Sequence, residues 1–208
     1  MSDLKDESFL SKNRIEALCD GIFAIAMTLM ILDLKTPENI PFNLAKDELP
    51  KVLLNLLPSV EAYAISFLIL GIFWMRHQIQ FKYIQYTDRT ILSINIIFLL
   101  FIGFVPFSVG IMMRYPDLFL SFIIYDLNLL IIALIMLWQW FYISKTKKIL
   151  VEDVDDKMIR RFGLITLVPV TIFILSFLVS FISVRGALML IYLDPLFFAI
   201  YRSVKKRK

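Results

Sequence analysis

The sequence predicts an all-α polytopic membrane protein with six transmembrane helices, and three observations carry that prediction. Hydrophobic residues fill 59% of the 208 positions and the mean hydropathy is +0.77, beyond the balance of a water-soluble domain. Apolar stretches recur at about the 20 residues that a helix needs to cross about 30 Å of hydrocarbon. Lys and Arg collect in every second connection, as the positive-inside rule requires of a bundle threading back and forth.

The stretches run over 14–34, 52–75, 90–113, 118–143, 162–184 and 186–204, and residues 1–208 read as one membrane domain. The third and fifth are uncharged between Arg89 and Arg114 and between Arg161 and Arg185, so they define their own ends. Glu61 interrupts the second, about ten residues in and near mid-membrane, with no basic partner in view; such a carboxyl is either protonated or hydrogen-bonded inside the bundle. Asp126 lies in the fourth and Asp194-Pro195 in the sixth, and both acids, like Asn95 in the third, should hydrogen-bond a neighbouring helix. Pro195 should kink or shorten the last span, because it lacks a backbone donor and clashes with the preceding turn; Pro106 and Pro169 pose the same problem to the third and fifth.

Seventeen basic residues fall in 1–14, 76–89, 145–161 and 202–208, against five at Lys35, Lys46, Lys51, Arg114 and Arg185. That asymmetry puts both termini in the cytoplasm, Asn39 outside and Lys147 inside. The same basic residues mark membrane boundaries and lack interleaved aromatic residues, so a sequence pI near 9.1 points to no nucleic-acid partner; Lys205 to Lys208 read as a topological anchor near lipid headgroups. The polar first 13 residues show no cleavable signal, and a short chain without a sorting signal suits a prokaryotic plasma membrane. One cysteine allows no intrachain disulfide. The outer segment Thr36 to Pro50 reads as a solvated linker, and Thr146 to Arg161 as the surface of a helical hairpin. The acids Glu152, Asp153, Asp155 and Asp156 lack the glycine and spacing of a calcium loop.

With no Walker loop, nucleophile elbow or metal-spaced His/Cys cluster, and one histidine in all, the chain predicts no enzyme and no cofactor. It also lacks a Thr-Val-Gly-Tyr-Gly filter, which excludes a conventional potassium channel. The informative segment is the first span. Ile25, Thr28, Leu29 and Leu32 form a stripe at helical spacing, continuous with Leu18, Gly21 and Ile22, while Phe23 reads as facing outward. Within one subunit the stripe reads as core packing. Arg14, Asp20 and His77 share a depth at the cytoplasmic ends of the first two spans, since Asp20 stands about 9 Å along the helix from Arg14. They read either as a clasp holding the first helix or as a proton-sensing switch. Trp74 beside them reads as an interface anchor or as packing for the clasp.

The segment Arg14, Ile15-Glu16-Ala17, Leu18-Cys19-Asp20 resembles the opening signature of the lysosomal potassium channel family, transmembrane protein 175, in its short prokaryotic form. That signature is Arg, three residues, then Phe-Ser-Asp; Arg14 and Asp20 match, and Leu18 and Cys19 stand at the Phe and Ser positions. The run Asp20 to Leu29 and Phe73-Trp74-Met75-Arg76-His77 also resemble the family's first two helices. The resemblance implies a homotetramer around a pore lined by helix one, with Ile25 as main constriction, Thr28 as a polar ring one turn outward, and Leu29 and Leu32 beyond. It further implies passive flow of potassium and other monovalent cations. A proton-coupled transporter relaying through Glu61, Asp126 and His77 is the alternative, and a membrane scaffold or enzyme subunit in which these groups only pack is a third.

Overall fold

The computed structural model describes residues 11–35, 41, 43–146, 149–151 and 154–206. Asn39, Lys147, Lys148, Glu152 and Asp153, and the side chains of the basic tail, lie outside the described residues. The elements in order are α1 (Lys12–Leu29) with a closing 3-10 turn (Met30–Asp33), α2 (Ala45–Asn55), α3 (Leu57–Lys82), α4 (Arg89–Arg114), α5 (Phe119–Lys145), α6 (Asp156–Ser180), α7 (Val184–Ile191) and α8 (Leu193–Lys206). Six spans are long and apolar enough to cross a membrane: α1 with its 3-10 turn, α3, α4, α5, α6, and α7 continued by α8 to Tyr201.

Hydrocarbon solvates Leu as well as another Leu does, so these helices associate through close packing and polar contacts rather than by escaping solvent. The bundle is accordingly built on α4 and α5, where buried faces of large residues such as Phe98, Ile102, Phe122 and Leu129 meet. Asp88 caps α4 by accepting from the Ile91 amide at 2.8 Å, and its other oxygen accepts from the Tyr142 hydroxyl at 2.5 Å, tying the start of α4 to the end of α5. The α1 span is the contrast: 28% of it is buried within the chain, against 56% for α5, so most of its surface is left for lipid or for other copies.

Three sequence expectations change. The second span starts at Leu57 and continues to Lys82, which moves Glu61 to the second turn of α3 and brings Arg76 off the loop into the bundle. Sixteen basic residues against five remain, so the predicted topology keeps its sign. The outer segment is helical from Ala45, with Asp47 and Glu48 in its first turn where carboxylates favour a helix start; no residue of α2 is buried. In the inner segment, read as the surface of a helical hairpin, the described residues Ile149 to Val151 pair with the residues just past α3 instead of forming a helix, and Asp156 already belongs to α6. Gln85 N donates to Ile149 O at 2.7 Å and Val151 N to Tyr83 O at 3.0 Å, an antiparallel bridge pairing Ile84 with Leu150 before Asp155 caps α6. The sixth span breaks at Tyr192, immediately before Leu193-Asp194-Pro195, as the proline required.

Cysteines placed singly at Asn39 and Lys147 in a Cys19→Ser background should be labelled by an impermeant thiol reagent from opposite sides of the membrane. Labelling of both from one side would exclude the six-span topology.

Candidate functional site: the open face of the first helix

Helix α1 has two faces set by its spacing. Ile15, Cys19, Phe23, Ala26 and Met30 recur every three or four residues and are all buried, with Phe23 packed on Phe98 of α4 at 5.9 Å between ring centroids. Phe23 is therefore a core residue and not the outward-facing one the sequence suggested: it falls on the same face as Cys19, which docks on α4. The stripe lies opposite. Ile25 is 59% exposed, Leu29 45% and Leu32 72%, Leu18, Gly21 and Thr28 are exposed too, and only Ile22 beside them is half-buried. Core packing within the subunit is thus excluded for these residues. Thr28 donates its hydroxyl hydrogen back to the Ala24 and Ile25 carbonyls, at 2.9 and 3.0 Å. The proton is spent on the backbone, and the oxygen's lone pairs remain for whatever passes the open face.

The expected clasp does not form. Asp20, on the open face, accepts at one oxygen from Trp74 Nε1 at 2.7 Å and from Gln78 Nε2 at 2.6 Å, both on α3. Trp74 is thereby a partner of the motif aspartate as well as a half-exposed ring. Arg14 is exposed and pairs with neither Asp20 nor His77. His77 lies on the buried side of α3, stacked between Phe81 at 4.3 Å and Phe98 at 5.3 Å, with its Nε2 2.8 Å from Asn95 Oδ1. Equal depth placed these residues together in the sequence reading, but Asp20 and His77 meet opposite sides of the α1–α3 seam. Cys19 is the residue that reaches the histidine network. Its Sγ stands 3.4 Å from Asn95 Oδ1 and 3.7 Å from His77 Nε2, so sulfur at the signature's serine position still joins α1 to α4. The amide oxygen of Asn95 can only accept, which makes His77 Nε2 a donor and leaves buried Nδ1 without a partner. Asn95 bonds across helices as anticipated.

The strongest polar contact in the bundle was not anticipated. Arg76 Nη1 and Nη2 donate to Asp194 Oδ2 and Oδ1 at 2.9 and 2.8 Å, a bidentate pair 1% and 0% exposed that ties the last third of α3 to the first turn of α8. Phe73 and Phe198 flank the guanidinium. The sequence did carry a signal: an acid beside Pro195 in an apolar span needs a cation, and Arg76 is followed by the apolar Ile79 and Phe81. Asp126 contradicts expectation differently. It is fully buried, and neither carboxyl oxygen makes a well-formed hydrogen bond among the described residues; Ser176 of α6 is its polar neighbour, but that hydroxyl donates to Ala187 O at 3.0 Å. Glu61 is exposed near the start of α3 and accepts from the Tyr192 hydroxyl at 2.7 Å.

The arrangement can be set beside known proteins. The model of a family described as the endosomal/lysosomal potassium channel TMEM175 matches residues 14–106. A potassium channel of Streptomyces collinus is 32% identical over 155 residues, covering 71% of each chain. The chain belongs to the TMEM175 family. The crystal structure of a lysosomal potassium-selective channel TMEM175 homologue from Chamaesiphon minutus matches with a TM-score of 0.79 at 26% identity, over 91% of this chain and 97% of that one. The endosomal/lysosomal proton channel TMEM175 of Gallus gallus is 36% identical over 104 residues, 48% of this chain and 21% of that longer protein. The stretch matching the TMEM175 model contains Asp20, Trp74, His77 and Asn95, the polar contacts that join α1, α3 and α4. Membership makes the chain a multi-pass membrane protein of an ion-channel family rather than an enzyme.

Proposed function

We propose that four copies of this chain, each one six-helix unit with cytoplasmic termini, form a potassium-preferring cation channel whose central pore is lined by α1. One observation carries the reading: the face of α1 turned away from its own subunit bears the stripe Leu18, Ile25, Thr28, Leu29 and Leu32 together with the carboxylate of Asp20. Lipid would accept the apolar side chains but not an acid on the same open face, whereas a water-filled axis accepts both. The potassium channel named in Streptomyces collinus and the potassium-selective homologue of known structure add to this support.

In such a pore four Ile25 side chains form the narrowest ring. They offer a cation nothing in return for its water, so passage requires partial dehydration, and potassium gives up water more readily than sodium. Four Thr28 hydroxyls one turn outward present lone pairs where water is thinned, strengthening that preference. No cofactor enters the mechanism; the ion is the permeant species. The relay of a proton-coupled transporter finds no support, since no hydrogen bond joins any two of Glu61, Asp126 and His77 among the described residues.

A 24.3 kDa chain gives one pore helix per copy, too few to enclose a path. Light scattering of the detergent-solubilised protein, corrected for detergent, should give about 97 kDa for four copies of 24.3 kDa. A strictly monomeric protein that still conducts would contradict the shared pore.

A further inference from the structure

At the end of the bundle where α1 finishes and α3 begins, a cleft opens between α3, α4, α5 and α7. Its inner part, about 90 Å³, is walled by Ala62, Ile65, Met112, Tyr125 and Leu188, with Glu61 and Tyr192 also lining it. That is too small for an acyl chain but ample for a group of a few heavy atoms. Its outer part, about 360 Å³, keeps Glu61 and adds Asp117 and Arg185 at the rim. The cleft thus carries two unlike charges at two places. Among the described residues the Glu61 carboxylate has only the neutral Tyr192 hydroxyl as partner, at 2.7 Å, and no basic group pairs with it. The Arg185 guanidinium is held only loosely, 3.6 Å from Asp117, with both side chains more than four-fifths exposed.

We propose that this cleft binds the headgroup of an ethanolamine phospholipid, its primary ammonium in the inner part on Glu61 and its phosphate at the rim on Arg185. The occupant follows from charge and size. A carboxylate beside phenol oxygens matches an ammonium that donates three hydrogen bonds. A guanidinium at the headgroup level matches a phosphate, for which it can exchange the weak Asp117 contact. Met189 of α7, exposed and lining the outer part of the cleft, gives the lipid's chains an apolar surface at its mouth. The glycerol of an anionic headgroup would offer Glu61 only neutral hydroxyl donors and no positive charge, and a trimethylated choline would keep the charge but lose the N–H donors. The leaflet is the one opposite the start of α1, the outer leaflet in the topology proposed above. The inference is independent of the conduction path.

Purified full-length protein in detergent should be titrated with phosphatidylethanolamine, phosphatidylcholine, phosphatidylglycerol and soluble O-phosphoethanolamine, and binding read by native mass spectrometry together with the melting temperature. Phosphatidylethanolamine should bind about tenfold more tightly than the other two lipids, which is about 1.4 kcal/mol, and raise the melting temperature more. Soluble O-phosphoethanolamine should bind weakly, since it lacks the chains. Glu61→Gln, which keeps a hydrogen-bond acceptor for Tyr192 and so melts like wild type without lipid, should erase the preference. Arg185→Ala should weaken binding of all three phospholipids. Equal binding of the three phospholipids, a preference that survives Glu61→Gln, or binding by O-phosphoethanolamine as tight as that of the lipid would each overturn the proposal.

Discussion

Ile25→Asn should raise the single-channel current several-fold and weaken the preference for potassium over sodium. At the ring the barrier is the water a cation sheds against side chains that cannot replace it, and four amides of similar size return part of that coordination. A barrier lower by about 1.4 kcal/mol is about a tenfold faster passage, so even a modest gain per side chain is visible in current. Selectivity falls because the ring discriminates by the cost of dehydration, and that cost shrinks for both ions. Thr28→Val keeps the shape, removes the oxygen, and should lower the potassium preference while leaving the protein folded, since the hydroxyl only bonds back to its own helix. The control lies on the same helix: Phe23→Ala, on the buried face, should cost about 3–5 kcal/mol of packing and leave the selectivity of the surviving protein unchanged. Bilayer recordings of purified protein give both current and reversal potential. Wild-type values for both Ile25→Asn and Thr28→Val, in protein that assembles normally, would move the pore away from α1.

Arg76→Ala should nearly abolish recoverable folded protein. Removing one partner of a buried ion pair strands the other charge, at a typical cost of about 3–5 kcal/mol, and here the stranded Asp194 sits in the first turn of a broken membrane helix with no other basic partner among the described residues. The pair is the main polar link from α3 to α8, so its loss should also free the last span from the bundle. Replacing both members with apolar residues of similar size, Arg76→Met with Asp194→Leu, should restore much of the yield, because two isolated costs disappear together. The readouts are monodispersity on size exclusion and melting in detergent. An Arg76→Ala protein with wild-type yield and melting would show that the pair contributes nothing to the fold.

What was legible in the sequence was whatever depends on one helix at a time. Length and hydropathy placed six spans, Pro195 placed the break in the last, and three-or-four spacing placed Ile25, Thr28, Leu29 and Leu32 on one face, which the structure leaves open. Pairings between helices were harder, because they need the rotation of two helices as well as depth. Arg14, Asp20 and His77 share a depth but not an azimuth, so Trp74 and Gln78 took the aspartate, and Asn95 and Cys19 took the histidine. In water a polar face would fix that rotation; in a helix apolar on every side, such as α4 or α5, nothing local does. Arg76 was missed for a related reason. A basic residue near the end of an apolar run reads as a boundary, and only the acid at position 194, on a helix far along the chain, makes it a core residue.

The most direct test of the central claim is ion flux through purified protein in liposomes under opposed potassium and sodium gradients, with an independent proton gradient imposed. A passive potassium-preferring pore on α1 predicts flux without any energy source, a reversal potential displaced toward that of potassium, and no change when the proton gradient is reversed. A reversal potential that follows the proton gradient, or no flux from correctly assembled protein, would contradict it.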